Sequence, residues 1–134
     1  MPIRPIKMKF RIPSYRSPRN AWRRAIHAEA IAVRDRRGIR YLPGDRLEVA
    51  VMLYMPNADL AVNDVDNRMK DIFDALQGRA GGPKSKRMLT AIIPNDNQIF
   101  RVEMEKGLPP KQALGRGHVV VRKLREGRKK VWRG

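Results

Sequence analysis

The sequence predicts a single small α/β (α+β) domain, a mixed β-sheet of about four strands with two main helices. Three observations lead there. At 134 residues the chain suits one domain with one modest core. Several windows alternate apolar and polar residues with a period of two, and two longer windows repeat apolar residues at helical spacing. The windows follow one another as strand, helix, strand, helix, strand, strand, an order that calls for helices packed on a mixed sheet.

Residues 7–13 place Met8, Phe10 and Ile12 on one side and Lys7, Lys9 and Arg11 on the other. That is a half-buried strand with a basic outer face, ended by Pro13. A helix should follow, with Ser17 as N-cap and Pro18 in its first turn. Trp22, Ile26, Ala30 and Val33 form its apolar stripe, and Gly38 stops it after about Arg36. In residues 46–55, Leu47, Val49, Val51, Leu53 and Met55 point one way. Ala50, Met52 and Tyr54 make the second face largely apolar too, so this strand is expected to be central. From about 66 to 77, Met69, Ile72, Phe73 and Leu76 recur at i, i+3, i+4 and i+7, one buried helix face ended by Gly78. Residues 79–95 read as a loop or insertion. Beyond it, Phe100, Val102 and Met104 alternate with Arg101, Glu103 and Glu105, and a last strand surrounds Val119, Val120 and Val121. The domain is expected to span 1–124, leaving 125–134 as a basic tail.

Thirty Lys and Arg stand against thirteen acids, a net charge of +17. Such a charge repels itself in a compact state and is best explained by a polyanionic partner, nucleic acid first. No stretch approaches the roughly 20 apolar residues of a membrane span, so no membrane partner is expected. The start of the chain lacks the apolar run of a signal peptide. The absence of cysteine removes disulfides and thiolate metal sites and fits a reducing cytoplasm.

In so basic a chain, clustered acids need a reason. Asp64, Asp66, Asp71 and Asp74 lie within eleven residues. Asp64 and Asp66 sit where an extended segment is expected to enter the second helix, so their side chains at i and i+2 point the same way and converge on one point. Lys70 follows Asp66 by one helical turn and Asp74 follows by another, on a face opposite the apolar stripe. Two close carboxylates repel unless a proton or cation intervenes. Mg²⁺ suits them, a hard ion commonly held by one or two carboxylates, water and substrate phosphate. With Lys70 to balance phosphate charge, the set has what phosphodiester hydrolysis needs. A plainer reading stands beside this one. Asp64 can be an N-cap, Asp66 can favour the helix dipole, and Asp66 with Lys70 can be a simple i, i+4 pair.

The run Asp64-Val65-Asp66-Asn67-Arg68-Met69-Lys70, then Asp74-Ala75-Leu76, then Asn95-Asp96-Asn97-Gln98-Ile99, resembles the signature of the RusA family of Holliday junction resolvases. The resemblance covers about 64 to 102. It implies a RusA-like fold and a crossover junction endodeoxyribonuclease that resolves four-way junctions and other branched DNA in recombination and repair. It implies Mg²⁺, with Mn²⁺ as the alternative, on Asp64, Asp66 and Asp96, and Lys70 at the phosphate. Asn67 and Asp74 match as supporting residues. It further implies a homodimer with two active sites, and a place on the nucleoid of a cell or in a phage. Three departures stand out. Asn95 replaces an acid of the family pattern, the stretch from Leu76 to Asp96 is long, and the opening keeps only Pro13-Ser14 and Asn20 of a Pro-Pro-Ser-x-Asn run.

Arg79, Lys84, Lys86 and Arg87 of the loop, and Arg128, Lys129 and Lys130 of the tail, are the expected DNA contacts. Trp132 can stack on a base or pack on protein. His27 and His118 lack partners at metal-ligand spacing. The competing readings are a noncatalytic basic nucleic-acid-binding protein, ribosomal or architectural, and a family member that has lost activity.

Overall fold

The computed structural model describes residues 7–56, 60–81, 89–111 and 116–124. The DNA-contact expectations for Lys84, Lys86, Arg87, Arg128, Lys129 and Lys130, together with the tail and Trp132, lie outside the described residues.

Four strands form one mixed sheet: β1 (Lys7–Ile12), β2 (Leu47–Tyr54), β3 (Ile99–Gly107) and β4 (Gly117–Lys123), in spatial order β1-β4-β2-β3. β4 runs antiparallel to both β1 and β2, whereas β2 and β3 are parallel. Parallel neighbours need a crossover, and helix α2 (Val65–Leu76) supplies it. Helix α1 (Arg19–Arg37) joins β1 to β2 and packs on β1 and α2.

Period-two patterning decides which sheet face is dry. Met8, Phe10 and Ile12 of β1, Val49, Val51 and Leu53 of β2, and Val119 and Val121 of β4 are all buried. They form one cluster with Trp22, Ile26, Ala30 and Val33 of α1 and Ile72, Ala75 and Leu76 of α2. The other face carries exposed Lys7, Lys9 and Arg11 at the β1 edge and exposed Glu103 and Glu105 at the β3 edge. Between them sits buried Glu48, whose carboxylate accepts from Arg122 Nε at 2.5 Å and lies 4.0 Å from Arg101. As expected, β2 is interior. No helix among the described residues is long and apolar enough to cross a membrane.

Two local expectations change. Ser17 does not cap α1. Pro18 occupies the cap in extended geometry (φ −76°, ψ 149°), after a cis Ser17–Pro18 peptide, and no side chain bonds the first turn. Its carbonyl instead accepts from the Ala21 and Trp22 amides at 3.0 and 3.3 Å. Phe100 does not share the inner face with Val102 and Met104. The β2–β3 register steps from Leu47↔Ile99 to Glu48↔Arg101, leaving Phe100 as the extra residue of a bulge. It is 60% exposed, with the Arg46 guanidinium 5.2 Å from its ring centroid.

Gly78 marks where the chain leaves and re-enters the core. Its φ is +81°, and a Cβ there would meet the Leu89 carbonyl oxygen at 2.2 Å. Leu89 N donates to Gly78 O at 3.0 Å, and Ile92 N and Ile93 N both donate to Leu76 O. Gly78→Ala is therefore expected to lower stability by about 1–3 kcal/mol, read from urea unfolding midpoints.

His118 on the open face pairs with Arg11 and Met52 across the sheet. Burial, then Lys9 and Arg11, hold its pKa below the usual 6.5. Folding favours the neutral ring, so the stability this group contributes is present above pH 6.5 and lost as pH falls through its lower folded value. Wild type should lose stability relative to His118→Gln as denaturation is repeated from pH 7.5 down to 5.

Candidate functional site

Helix α2 begins immediately after Asp64, which holds the N-cap in extended geometry (φ −72°, ψ 136°). The backbone is already helical at Val65. Asp66 therefore lies in the first turn rather than in an extended segment, and the i, i+2 alignment expected of the two acids does not arise in that form. The plainer reading places Asp64 at the N-cap and Asp66 in the first turn, as observed, although the Asp64 side chain makes no capping hydrogen bond. Asp64, Asp66, Asn67 and Lys70 are all exposed. Among the described residues the ion pairs of α2 acids fall on Asp71 and Asp74 instead.

The turn ahead of Asp64 is tied down by two cations. Lys106 Nζ, from the end of β3, donates to the carbonyl oxygens of Leu60 and Asn63, the latter at 2.6 Å. Arg68 Nη1 reaches Asn63 Oδ1 at 3.4 Å. The Arg68 guanidinium is stacked 3.6 Å from the centroid of Tyr15, which meets Trp22 edge-on at 5.1 Å.

Asp71 is fully buried. Its Oδ1 accepts from Arg23 Nε at 3.1 Å and lies 2.9 Å from Arg23 Nη2 and 3.0 Å from Arg19 Nε. Arg68 Nη2 stands 3.4 Å from Oδ2, yet Oδ2 has no hydrogen bond. That approach is thus electrostatic attraction without donor alignment. Asp74 pairs with Arg23 at 3.0 Å, so it belongs to the α1–α2 seam rather than to an open face shared with Lys70. Burial raises the Asp74 pKa above the ordinary 3.8, with Arg23 and Arg79 opposing and Asp71 and Asp96 adding to the rise. Arg79, expected to face DNA, is half-buried here and its Nε is buried without a hydrogen bond.

Asp96 sits at the other end of α2. Its amide donates to Gln77 Oε1 at 3.2 Å, and Gln77 is the C-cap of the helix. Twelve helical residues at 1.5 Å each put about 18 Å of rod between the Asp64 end and the Asp96 end. Among the described residues no three acids or histidines come together closely enough to hold a metal ion. The expected meeting of Asp64, Asp66 and Asp96 is therefore not made within one chain.

The Asn95-to-Gln98 run has a structural explanation. Asn95 Oδ1 accepts from the Asn97 amide at 3.0 Å, and Gln98 Oε1 accepts from the Asn95 amide at 2.9 Å. Gln98 Nε2 also holds the Leu42 and Asp45 carbonyls at 2.7 and 2.9 Å. Position 95 needs an oxygen that accepts a backbone amide, and Asn provides it as well as Asp. Asp96 keeps an exposed side chain.

Sequence reasoning missed Lys106 and Gln77, and it named Asp71 and Gln98 without the roles they have here. Asp71 had a signal. Arg19 and Arg23 are spaced i, i+4 on α1, and Asp71 and Asp74 are spaced i, i+3 on α2, which places two charges on one face of each helix. Comparison with protein families and with curated proteins finds no match to this chain.

Removing the Asp71 charge leaves two buried guanidinium groups without their shared partner. Asp71→Asn is expected to cost about 3–5 kcal/mol in chemical denaturation. Arg19→Gln, at the half-exposed end of the same network, should cost about 1 kcal/mol or less.

Proposed function

We propose that this protein is a Mg²⁺-dependent endonuclease acting on branched DNA, with Asp64 and Asp66 as the ion's carboxylates. One observation carries the reading. In a chain of net charge +17, these two acids stand exposed at one helix start, without a capping bond, while their neighbours Asp71 and Asp74 are neutralised by arginines. Two carboxylates, water and phosphate oxygens make an adequate shell for Mg²⁺, so the donor set at this end of α2 fits the ion. A three-carboxylate shell from a single chain does not.

When bound, Mg²⁺ would supply an activated water and neutralise charge growing on the scissile phosphate. The chain's own residues do the rest. Asp64 and Asp66 would hold the ion. Lys70, one turn along α2, offers an ammonium to the phosphate oxygens. Asn67 lies between them as a neutral donor and acceptor. Asp96, at the far end of the helix, can join the shell only from a second protomer. A twofold dimer would carry two such sites, as symmetric cutting of a four-way junction requires. DNA as substrate would place the protein on the nucleoid.

A second reading has one observation in its favour. The absence of any three-acid group among the described residues suits a basic protein that binds nucleic acid without cutting it. The two readings part on one assay, nicking of a synthetic four-way junction with and without Mg²⁺. The nuclease should cut only with the ion, and Asp66→Asn should lose at least a hundredfold in rate while binding the junction as well as wild type or better, since a charge repelling phosphate is gone. Equal cutting by Asp66→Asn overturns the assignment. Salt-sensitive binding with no cutting under any divalent ion establishes the second reading.

A further inference from the structure

On the inner side of β3 the alternation runs Val102, Met104 and then Lys106, opposite Val49, Val51 and Leu53 of β2. A lysine therefore stands where the pattern asks for an apolar side chain. Removing an ammonium from water is costly unless other groups replace its hydration. Two backbone carbonyls do so here, Leu60 O and Asn63 O. No carboxylate among the described residues pairs with it. Both carbonyls belong to the turn that delivers the chain to Asp64, and Asn63 is the residue directly before it.

We propose that Lys106 is a positioning residue for the carboxylates of Asp64 and Asp66, acting through the 60–63 turn; this rests on the metal reading given above. An N-cap residue has non-helical backbone angles of its own, and Asp64 lacks the side-chain cap that would restrain it. Its direction is thus set by the turn behind it. Lysine suits this task because one ammonium has three donors and serves two carbonyls from a single point. Methionine fills a similar volume and donates nothing. The clamp also comes from a strand, so the acids inherit the position of β3 rather than that of a free loop.

The test compares full-length wild type with Lys106→Met, using Mg²⁺ alone as the probe. Amide chemical shifts of residues 64–66 follow the ion, and hydrogen exchange reports on residues 60–64. Cutting of a four-way junction is measured over the same Mg²⁺ range. In Lys106→Met, exchange in the turn should quicken at least tenfold while α1 and β2 keep their protection. The Mg²⁺ midpoint should rise about tenfold in both readouts, the scale seen when groups supporting metal ligands are lost. Junction affinity without Mg²⁺ should not move. Lys106→Gln keeps two N–H donors on a shorter stem, so it should give an intermediate midpoint, and it carries the test if the methionine variant does not fold. An unchanged midpoint in the folded variant, with wild type responding to Mg²⁺, overturns the role of Lys106 and leaves the functional reading standing. No Mg²⁺ response in wild type sinks both.

Discussion

The arrangement of this molecule depends on one buried carboxylate. Asp71 has no exposed surface, and arginines from both helices surround it. A charge in that position is tolerated only with partners in place. A slide or rotation of α2 along α1 would pull Asp71 away from Arg23. Apolar packing of Ile72, Ala75 and Leu76 supplies attraction without strong direction, whereas the ionic seam fixes register. Everything carried by α2 inherits that register, including the acids at its start and the Gln77–Asp96 link at its end.

The same helix is both scaffold and separator. It connects the parallel pair β2 and β3, and it keeps its two acidic ends apart. The Lys106 clamp and the Arg68–Tyr15 stack hold the first end, and the Gln77 and Gln98 side chains hold the second. Polar side chains bonded to backbone, rather than apolar contacts, thus set the geometry at both ends. Such bonds are directional and short, so they fix the backbone at each end more narrowly than apolar contact would.

Elements governed by local periodicity were legible in the sequence. The strand around Met8 and Phe10, the central strand around Val49 and Val51, and both helices follow from apolar spacing that a single window reveals. The helix stop at Gly38, with φ +64°, follows from residue type alone. Features that depend on where the chain goes next were not legible. The Phe100 bulge arises from the register against β2, which no property of residues 99–105 announces. Ser17 and Pro18 read as cap and first turn by type, yet the chain enters α1 one residue later. For the candidate site, the pattern put Asp64, Asp66 and Lys70 at the start of the second helix, where they are exposed, but not the backbone geometry of Asp66 or the burial of Asp74 against Arg23. It did not foresee that Asp96 would be carried to the opposite end, because distance along a sequence does not say which end of a rod the returning chain will meet. Lys106 was invisible for a related reason. Its partners are backbone carbonyls, and every residue has one.

The junction of Gly78 with Leu89 has an evolutionary consequence. Where two points of a chain are hydrogen-bonded and sterically interlocked, the residues between them can change in number with little thermodynamic penalty, since doubling a closed loop costs only about 0.6 kcal/mol. The fold thus closes a loop whose length can differ beyond Gly81 at little penalty, while Arg79 and Ala80 stay fixed by their bonds to Asp74 and Arg24. A lineage built on this scaffold is free to vary the length of that loop while its core stays fixed.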